Sequence, residues 1–217
     1  MRKISVFIIV ILALGLLFPC LNYGSVGIKA GLNFSKFSYA NFTVQPDFST
    51  RTNLIFGGFL NIRLAGPLSL QAEVFYSNTG STYNGPVADL IDDLGFSIGN
   101  LNNIFIEYKV TYLEIPLLLK LSFNMVALKP YVFAGPFYRS KLSESVKVEY
   151  QGFSFNVDPE LLDKTDYGLS VGGGMNFNVG LTAFLVEIRY SLGMKDINLG
   201  SQTLKNEVIT ILAGIEF

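Results

Sequence analysis

Hydrophobic and polar residues alternate along much of the chain, beginning with the segment SVGIKAGLNFS at residues 25–35. Its apolar side chains occupy every second position, and Gly, Lys and Asn lie between them. A period of two predicts a β-strand with one apolar face and one polar face. Similar segments recur, and together they predict eight strands, at residues 25–35, 53–63, 70–77, 111–123, 129–140, 166–177, 182–191 and 207–217.

The faces of two of these segments, 53–63 and 129–140, stay unassigned. The segment TYLEIPLLLKLSF at residues 111–123 is clearer. Its odd-numbered positions from Leu113 to Leu121 form an apolar face, and Glu114, Pro116 and Lys120 lie on the opposite face. Proline has no N–H to donate to a neighbouring strand, so we expect a bulge or a locally broken hydrogen bond at Pro116.

The connections between the predicted strands alternate in length. In chain order they are long, short, long, short, long, short and long, at residues 36–51, 64–68, 78–103, 123–129, 141–165, 178–181 and 193–205. This pattern is typical of transmembrane β-barrels, which have short periplasmic turns and longer extracellular loops. The sequence therefore predicts an all-β fold, an eight-stranded antiparallel up-and-down transmembrane barrel with both termini on the periplasmic side.

A soluble eight-stranded barrel, such as a lipocalin-like carrier of an apolar ligand, would show the same alternation with its apolar face turned inward. The polar face argues against it, because it carries Gly27, Gly31, Gly168, Gly172 and Gly174. Glycine weakens an exposed strand but leaves room for bulky neighbours inside a narrow barrel. We therefore predict that the polar face lines the lumen and that the apolar face contacts lipid.

Aromatic residues favour the same orientation. In a membrane barrel they concentrate at the two interfaces of the bilayer. With the strands oriented as above, one belt is predicted at the loop end, formed by Phe34, Phe37, Tyr76, Tyr108, Tyr112, Tyr167 and Tyr190, and one at the turn end, formed by Phe123, Tyr131, Phe177 and Phe217.

The composition indicates an apolar environment, and the amino-terminal segment indicates export. Half of the residues are hydrophobic, and the mean hydropathy is +0.41. Residues 1–24 resemble a secretory signal peptide, with Arg2 and Lys3 before an apolar stretch from Ile4 to Phe18. We predict cleavage between Cys20 and Ser25, which leaves residues 25–217 as a single barrel domain; the alternative is lipidation at Cys20, which Pro19 disfavours.

The predicted mature chain has no pronounced charge. Removing Arg2 and Lys3 from the 16 basic residues leaves 14 against 17 acidic residues, a net charge of about −3. Nothing in this balance indicates a nucleic-acid partner. The expected surroundings are outer-membrane lipid.

Seven charged residues fall on the predicted lumenal face: Lys29, Glu73, Glu114, Lys120, Glu187, Arg189 and Glu216. A narrow lumen allows two interpretations, a path for protons or ions and a structural network of ion pairs that plugs the barrel. We favour the plug, and we expect Arg189 to pair with Glu73 or with Glu114 across the lumen.

The sequence offers no catalytic constellation. It contains no histidine, which excludes catalytic triads and metal sites that depend on imidazole. The acidic stretches at residues 88–95 and 157–166 either bind a hard cation such as calcium or are solvated loop acids, and the lack of an EF-hand spacing favours the second interpretation. We expect no enzyme activity, no metal and no cofactor.

Five segments resemble the PorT-like outer-membrane β-barrel proteins of diderm bacteria, across nearly the whole predicted mature chain. They are GIKAGLNFSKF (27–37), YLEIPLLLKLSF (112–123), KPYVFAGPF (129–137), YGLSVGGGMNF (167–177) and VEIRYSLGMKDI (186–197). The resemblance implies location in the bacterial outer membrane. For the namesake branch it also implies partners in a protein-secretion apparatus, and for other relatives an envelope protein that acts through its loops.

The last predicted strand ends in Phe217, which shares the apolar face of Ile209, Ile211 and Ile215. This ending resembles the terminal-strand signal that barrel-assembly machinery reads. We therefore expect that machinery as a partner during biogenesis.

Overall fold

The computed structural model describes residues 24–39, 48–86, 103–123, 125, 128–150, 153–157, 164–180, 182–195, 197–199 and 202–217. Within these ranges the chain forms ten β-strands: β1 (Gly24–Tyr39), β2 (Phe48–Ala65), β3 (Leu68–Pro86), β4 (Asn103–Ser122), β5 (Leu128–Tyr150), β6 (Phe153–Val157), β7 (Thr165–Val179), β8 (Thr182–Gly193), β9 (Ile197–Leu199) and β10 (Gln202–Glu216). No helix in the described ranges is long and apolar enough to cross a membrane.

Eight long strands close into an antiparallel barrel. The order is β1-β2-β3-β4-β5-β7-β8-β10, and β10 pairs with β1 from Glu216 opposite Gly27 to Leu204 opposite Tyr39. Closure pairs the first and last strands, so that neither leaves an open edge for lipid to cover. The predicted eight-stranded up-and-down barrel is confirmed, with short turns at one end, such as Gly66–Pro67 between β2 and β3.

Several strands extend beyond their predicted ends on the loop side. The β3–β4 ladder continues to Pro86 opposite Asn103, and β5 continues to Tyr150 and pairs there with β6. Parts of the predicted loops 78–103 and 141–165 are therefore strand. Alternation fades in these extensions, because they rise out of the membrane and no longer have one face in lipid and one in the lumen.

The apolar faces point outward. On β4 the side chains of Ile115, Leu117 and Leu119 are 41%, 45% and 49% exposed, whereas Leu118 is fully buried in the lumen. In β8 burial alternates at every residue from Ala183 to Gly193. A soluble carrier needs an apolar interior and a polar exterior, so the lipocalin-like alternative is wrong.

Pairing is interrupted at Pro116, as predicted. The β3–β4 ladder runs from Leu68 to Ala72, opposite Leu117, and resumes at Phe75, opposite Glu114. The register is the same on both sides of this gap, so the irregularity is broken pairing and not a bulge. Pro136 causes a similar interruption in the β4–β5 ladder, which skips Leu117 and Leu118.

The predicted aromatic belts need a correction. Tyr76, Tyr167 and Tyr190 at the loop end, and Phe123, Phe177 and Phe217 at the turn end, are exposed on the outer surface. Tyr112 and Tyr131 are each only 2% exposed and point into the lumen, so their assignment to the belts is wrong. Phe37 lies outside the residues whose side chains the structure describes.

Candidate functional site

Four charged side chains form a closed ring of ion pairs in the middle of the lumen, which we call the charge quartet: Lys29, Glu73, Glu187 and Arg189. Lys29 Nζ lies 2.7 Å from Glu73 Oε1 and 2.7 Å from Glu187 Oε2. Arg189 Nη2 lies 2.7 Å from Glu73 Oε2 and 2.6 Å from Glu187 Oε1. The two positive and two negative charges balance, and all four residues are at most 2% exposed.

The quartet joins three strands, because Lys29 is on β1, Glu73 is on β3, and Glu187 and Arg189 are both on β8. Tyr131 of β5 donates a hydrogen bond of 3.1 Å from its hydroxyl to Glu187 Oε2, and Gln71 donates one of 2.8 Å to Glu73 Oε1. In the structure Arg189 pairs with Glu73, which is one of the two partners predicted for it.

Glu114 belongs to a second cluster nearer the loop end. Arg139 Nε lies 2.8 Å from Glu114 Oε2, and Arg139 Nη1 lies 3.5 Å from Asp166 Oδ2. Both acids are 2% exposed, so Asp166 is a lumenal ligand of Arg139 and not a solvated loop acid. The remainder of the acidic stretches 88–95 and 157–166 lies outside the described residues, apart from Val157, Lys164 and Thr165.

Five aromatic rings in the lumen each lie over a glycine on the neighbouring strand. Five directly opposed cross-strand pairs share this arrangement: Phe59 with Gly27, Phe75 with Gly57, Tyr131 with Gly174, Phe133 with Gly172 and Phe137 with Gly168. A Cβ added at any of the five glycines would lie between 2.5 and 2.7 Å from the opposed ring. Four of the five glycines predicted to make room inside the barrel do so for a ring; at Gly31 the nearest atoms belong to the backbone of Ile211 and Leu212.

The buried cations stack on these rings. Lys29 Nζ is 4.8 Å from the centre of the Phe59 ring, and Lys120 Nζ is 3.8 Å from that of Tyr131. The guanidinium carbon of Arg139 is 4.1 Å from the Phe137 ring, and that of Arg189 is 5.2 Å from the Phe133 ring. A cation is attracted to the face of an aromatic ring, and the attraction is stronger where water is excluded. The lumen is thus built in layers of glycine, ring and cation.

Lys120 and Glu216 lie apart from the quartet, towards the turn end. Lys120 Nζ donates a 3.2 Å hydrogen bond to Gln71 Oε1, and no salt bridge among the described residues includes it. Glu216 is partly exposed and accepts hydrogen bonds from Ser25 Oγ and, at 2.6 Å, from Asn176 Nδ2.

Sequence reasoning did not find Arg139, Gln71 or Tyr131. Gln71 was on the polar face of its strand but uncharged, and the face of the strand that carries Arg139 and Tyr131 was unassigned. The spacing of the glycines in β7 would have assigned this face. Gly168 lies opposite Phe137, Gly172 opposite Phe133 and Gly174 opposite Tyr131.

At the loop end, above the lumen, side chains of the extended β4–β5 sheet pack against one another. Ile106 and Val146 are buried, with Tyr108 and Val148 against them. On its surface Lys147 and Glu149 pair at 2.5 Å, and this hydrogen bond lowers the pKa of Glu149 and raises that of Lys147. The described residues contain no group of three or more His, Cys, Asp or Glu that could hold a metal ion.

A closed eight-stranded barrel with an apolar exterior and charges paired inside defines a small transmembrane β-barrel protein. The chain belongs to the outer membrane protein beta-barrel domain family, whose model matches residues 19–198. The protein is therefore an integral protein of the bacterial outer membrane. Among curated proteins none matches the sequence.

Three similar solved structures are outer-membrane proteins. The attachment invasion locus protein Ail of Yersinia pestis is 13% identical with a TM-score of 0.44, over 90% of this chain and 99% of that one. Neisserial surface protein A is 15% identical with a TM-score of 0.45, over 89% and 97%. Outer membrane protein W of E. coli is 15% identical with a TM-score of 0.43, over 90% and 98%. At these values the likeness is one of general fold and carries nothing about function.

Proposed function

We propose that this protein is a non-enzymatic outer-membrane barrel with a plugged lumen, which acts as a structural and interaction protein through its extracellular end. The observation that carries the proposal is the filled lumen. The quartet, the Arg139 cluster and the rings over glycine occupy successive levels of a barrel that is only wide enough for side chains. The ion pairs obstruct diffusion along the barrel axis, which disfavours a pore. We therefore infer that the barrel serves as a scaffold.

The extracellular end supports the second half of the proposal. The β3–β4 and β5–β6 pairings continue beyond the barrel, and buried Ile106 and Val146 brace the sheet between them. Loops on a rigid scaffold are the usual place for binding residues. The braced strands of this extension are the surface that we propose for a partner.

Conductance measurements test the plug. In planar lipid bilayers the purified barrel should give no steady current. A double replacement Phe133→Ala/Arg189→Ala, which removes a ring and its stacked cation, should raise the conductance, whereas the outward-facing Ile188→Ala should not. A steady ohmic current from the unmodified protein would contradict the plugged lumen.

Site-specific photo-crosslinking in intact cells tests the interaction surface. A crosslinking amino acid at Ser154, exposed on β6, should give a discrete adduct with another envelope protein, whereas one at Gly66, in a turn at the opposite end, should not. Adducts from Gly66 alone would move the interaction surface to the periplasmic side and contradict the proposal.

The resemblance to PorT-like proteins favours components of a protein-secretion apparatus as the partner. A secretion defect on deletion of the gene, restored by the full chain, supports this refinement. Normal secretion after deletion counts against the refinement and leaves the general proposal standing. Barrel-assembly machinery remains the partner proposed for biogenesis, through the strand that ends in Phe217.

A further inference from the structure

A polar cavity of about 460 Å³ opens at the turn end of the barrel. Its walls come from strand ends and turns all around that end, including Asn61 of β2, Lys120 of β4 and Asn176 of β7. We call it the periplasmic vestibule, because short turns mark the periplasmic side. It lies at the opposite end from the extracellular hairpins and below the charge quartet, so the proposed function does not involve it.

Buried polar groups in the vestibule wall are incompletely paired. Asn61 and Asn176 are 9% and 8% exposed, and the Oδ1 atom of each has no hydrogen-bond partner among the described residues. Lys120, which is 2% exposed, has a single hydrogen bond, to Gln71, and rests on the Tyr131 ring without a carboxylate partner in the described part of the chain. An ammonium group has three donors, so two remain for a ligand. Buried polar groups of this kind normally have hydrogen-bond partners, because an unpaired group has lost its hydration without compensation.

The charge of the vestibule favours an anion. Three basic side chains line it, those of Lys120, Arg63 and Lys129, against one acidic side chain, that of Glu216. Both oxygens of Glu216 already accept hydrogen bonds, from Ser25 and from Asn176. Arg63 is exposed at the rim, so it adds charge at the entrance while Lys120 lies at the inner end.

We propose that the periplasmic vestibule binds a small hydroxylated anion of the sugar phosphate or sugar acid class. The anionic group would pair with Lys120, and the hydroxyl groups of the ligand would donate to Asn61 Oδ1 and Asn176 Oδ1. The free amide oxygens need a donor, which a simple inorganic anion with few protons supplies poorly. The volume of the cavity lies within the roughly 300–1,000 Å³ that is usual for small-molecule sites.

Isothermal titration calorimetry of the full chain in non-ionic detergent micelles tests the proposal with four compounds. Glucose 6-phosphate and gluconate carry both charge and hydroxyl groups, inorganic phosphate carries the charge, and glucose carries the hydroxyl groups. We expect saturable binding of at least one of the first two, about tenfold weaker binding of phosphate, and none of glucose. Which of the first two binds distinguishes a phosphate from a carboxylate ligand.

Variants locate the site. Lys120→Gln should weaken the binding at least about tenfold, as expected for the loss of a charged hydrogen-bond donor. Arg63→Gln, at the exposed rim, should weaken the binding less than Lys120→Gln does. The heat-dependent gel mobility of the barrel reports whether each variant folds, and Arg63→Gln keeps the test usable if Lys120→Gln does not. Lys109→Gln is the matched control, because Lys109 is exposed at the loop end.

No saturable binding of either hydroxylated anion would overturn the proposal. Equal binding of glucose, equal binding of phosphate, or unchanged affinity in both vestibule variants would also overturn it. None of these outcomes bears on partners at the extracellular end, so the two proposals fail independently.

Discussion

Replacing Arg189 by methionine should destabilise the barrel far more than the same replacement at Arg51. Arg189 and Arg51 each have a guanidinium nitrogen 2.6 Å from a glutamate oxygen, of Glu187 and of Glu107 respectively. The two pairs differ in burial. The Arg189 and Glu187 side chains are 1% and 0% exposed, whereas those of Arg51 and Glu107 are 17% and 28% exposed.

The expected magnitudes follow from the quartet. Without Arg189, the buried carboxylates of Glu73 and Glu187 share one cation, Lys29, which leaves one negative charge uncompensated. Breaking a buried ion pair in this way costs about 3–5 kcal/mol. An exposed pair contributes about 0–1 kcal/mol, so Arg51→Met should cost less than about 1 kcal/mol.

A second replacement should recover part of the loss. Arg189→Met combined with Glu73→Gln leaves Lys29 opposite Glu187 and restores neutrality. The double variant should therefore be more stable than Arg189→Met alone, with a coupling of about 0.5–3 kcal/mol between the two sites.

Urea unfolding of the barrel in phospholipid vesicles measures these differences. The chain contains no tryptophan, so circular dichroism of the β-structure and heat-dependent gel mobility are the suitable signals. Equal destabilisation by Arg189→Met and Arg51→Met would refute the buried, balanced quartet, and so would a double variant less stable than Arg189→Met.

Three further predictions concern packing, lipid and assembly. Gly57→Ala should lower the free energy of unfolding by about 1–3 kcal/mol through overpacking, because the added Cβ would lie 2.6 Å from the Phe75 ring and closer still to Val74 O. At Gly58 the nearest atom is 3.4 Å from the added Cβ, so Gly58→Ala should be nearly neutral in the same unfolding assay. Equal losses of stability in the two variants would contradict the ring-over-glycine packing. Leu117→Arg should lower the free energy of unfolding in vesicles by about 2–4 kcal/mol, and Leu64→Arg, beside a turn, by about 0–1 kcal/mol. The reverse order would contradict the assignment of residue 117 to the membrane interior. Phe217→Ala should slow insertion in cells but not refolding in detergent, and normal insertion in a pulse-chase measurement would remove Phe217 as an assembly signal.

The sequence predicted the outward and inward faces wherever polar residues alternate with apolar ones. Lys29, Glu73 and Arg189 lie in the lumen because lipid on one side and a narrow polar interior on the other impose a strict period of two. The face of β5 was not predictable in that way, since it turns Val132 and Tyr138 outward but Phe133 and Tyr131 inward. Both sets are apolar, and the opposed glycines of β7 distinguish them.

Pair identity was harder to predict than side-chain direction. Glu114 was one of two partners predicted for Arg189, yet it pairs with Arg139, because the β4–β5 register places the two residues directly opposite each other. A sequence pattern gives the face of a residue but not its height along the barrel axis. Height depends on the stagger between strands, which closure of the barrel determines. The extended β5–β6 pairing was missed for a related reason, since it lies outside the membrane and has no period imposed by lipid.

On β4, residues 115, 117 and 119 face outward, to lipid, whereas residues 116 and 118 face the lumen. Spin labels at single cysteines introduced at these five positions, in a Cys20→Ser background, report contact with lipid through collisions with dissolved oxygen in reconstituted membranes. We expect high oxygen accessibility at 115, 117 and 119, low accessibility at 116 and 118, and little contact of any of them with a water-soluble nickel complex. Equal oxygen accessibility at all five positions, or strong contact of residue 117 with the nickel complex, would contradict this orientation.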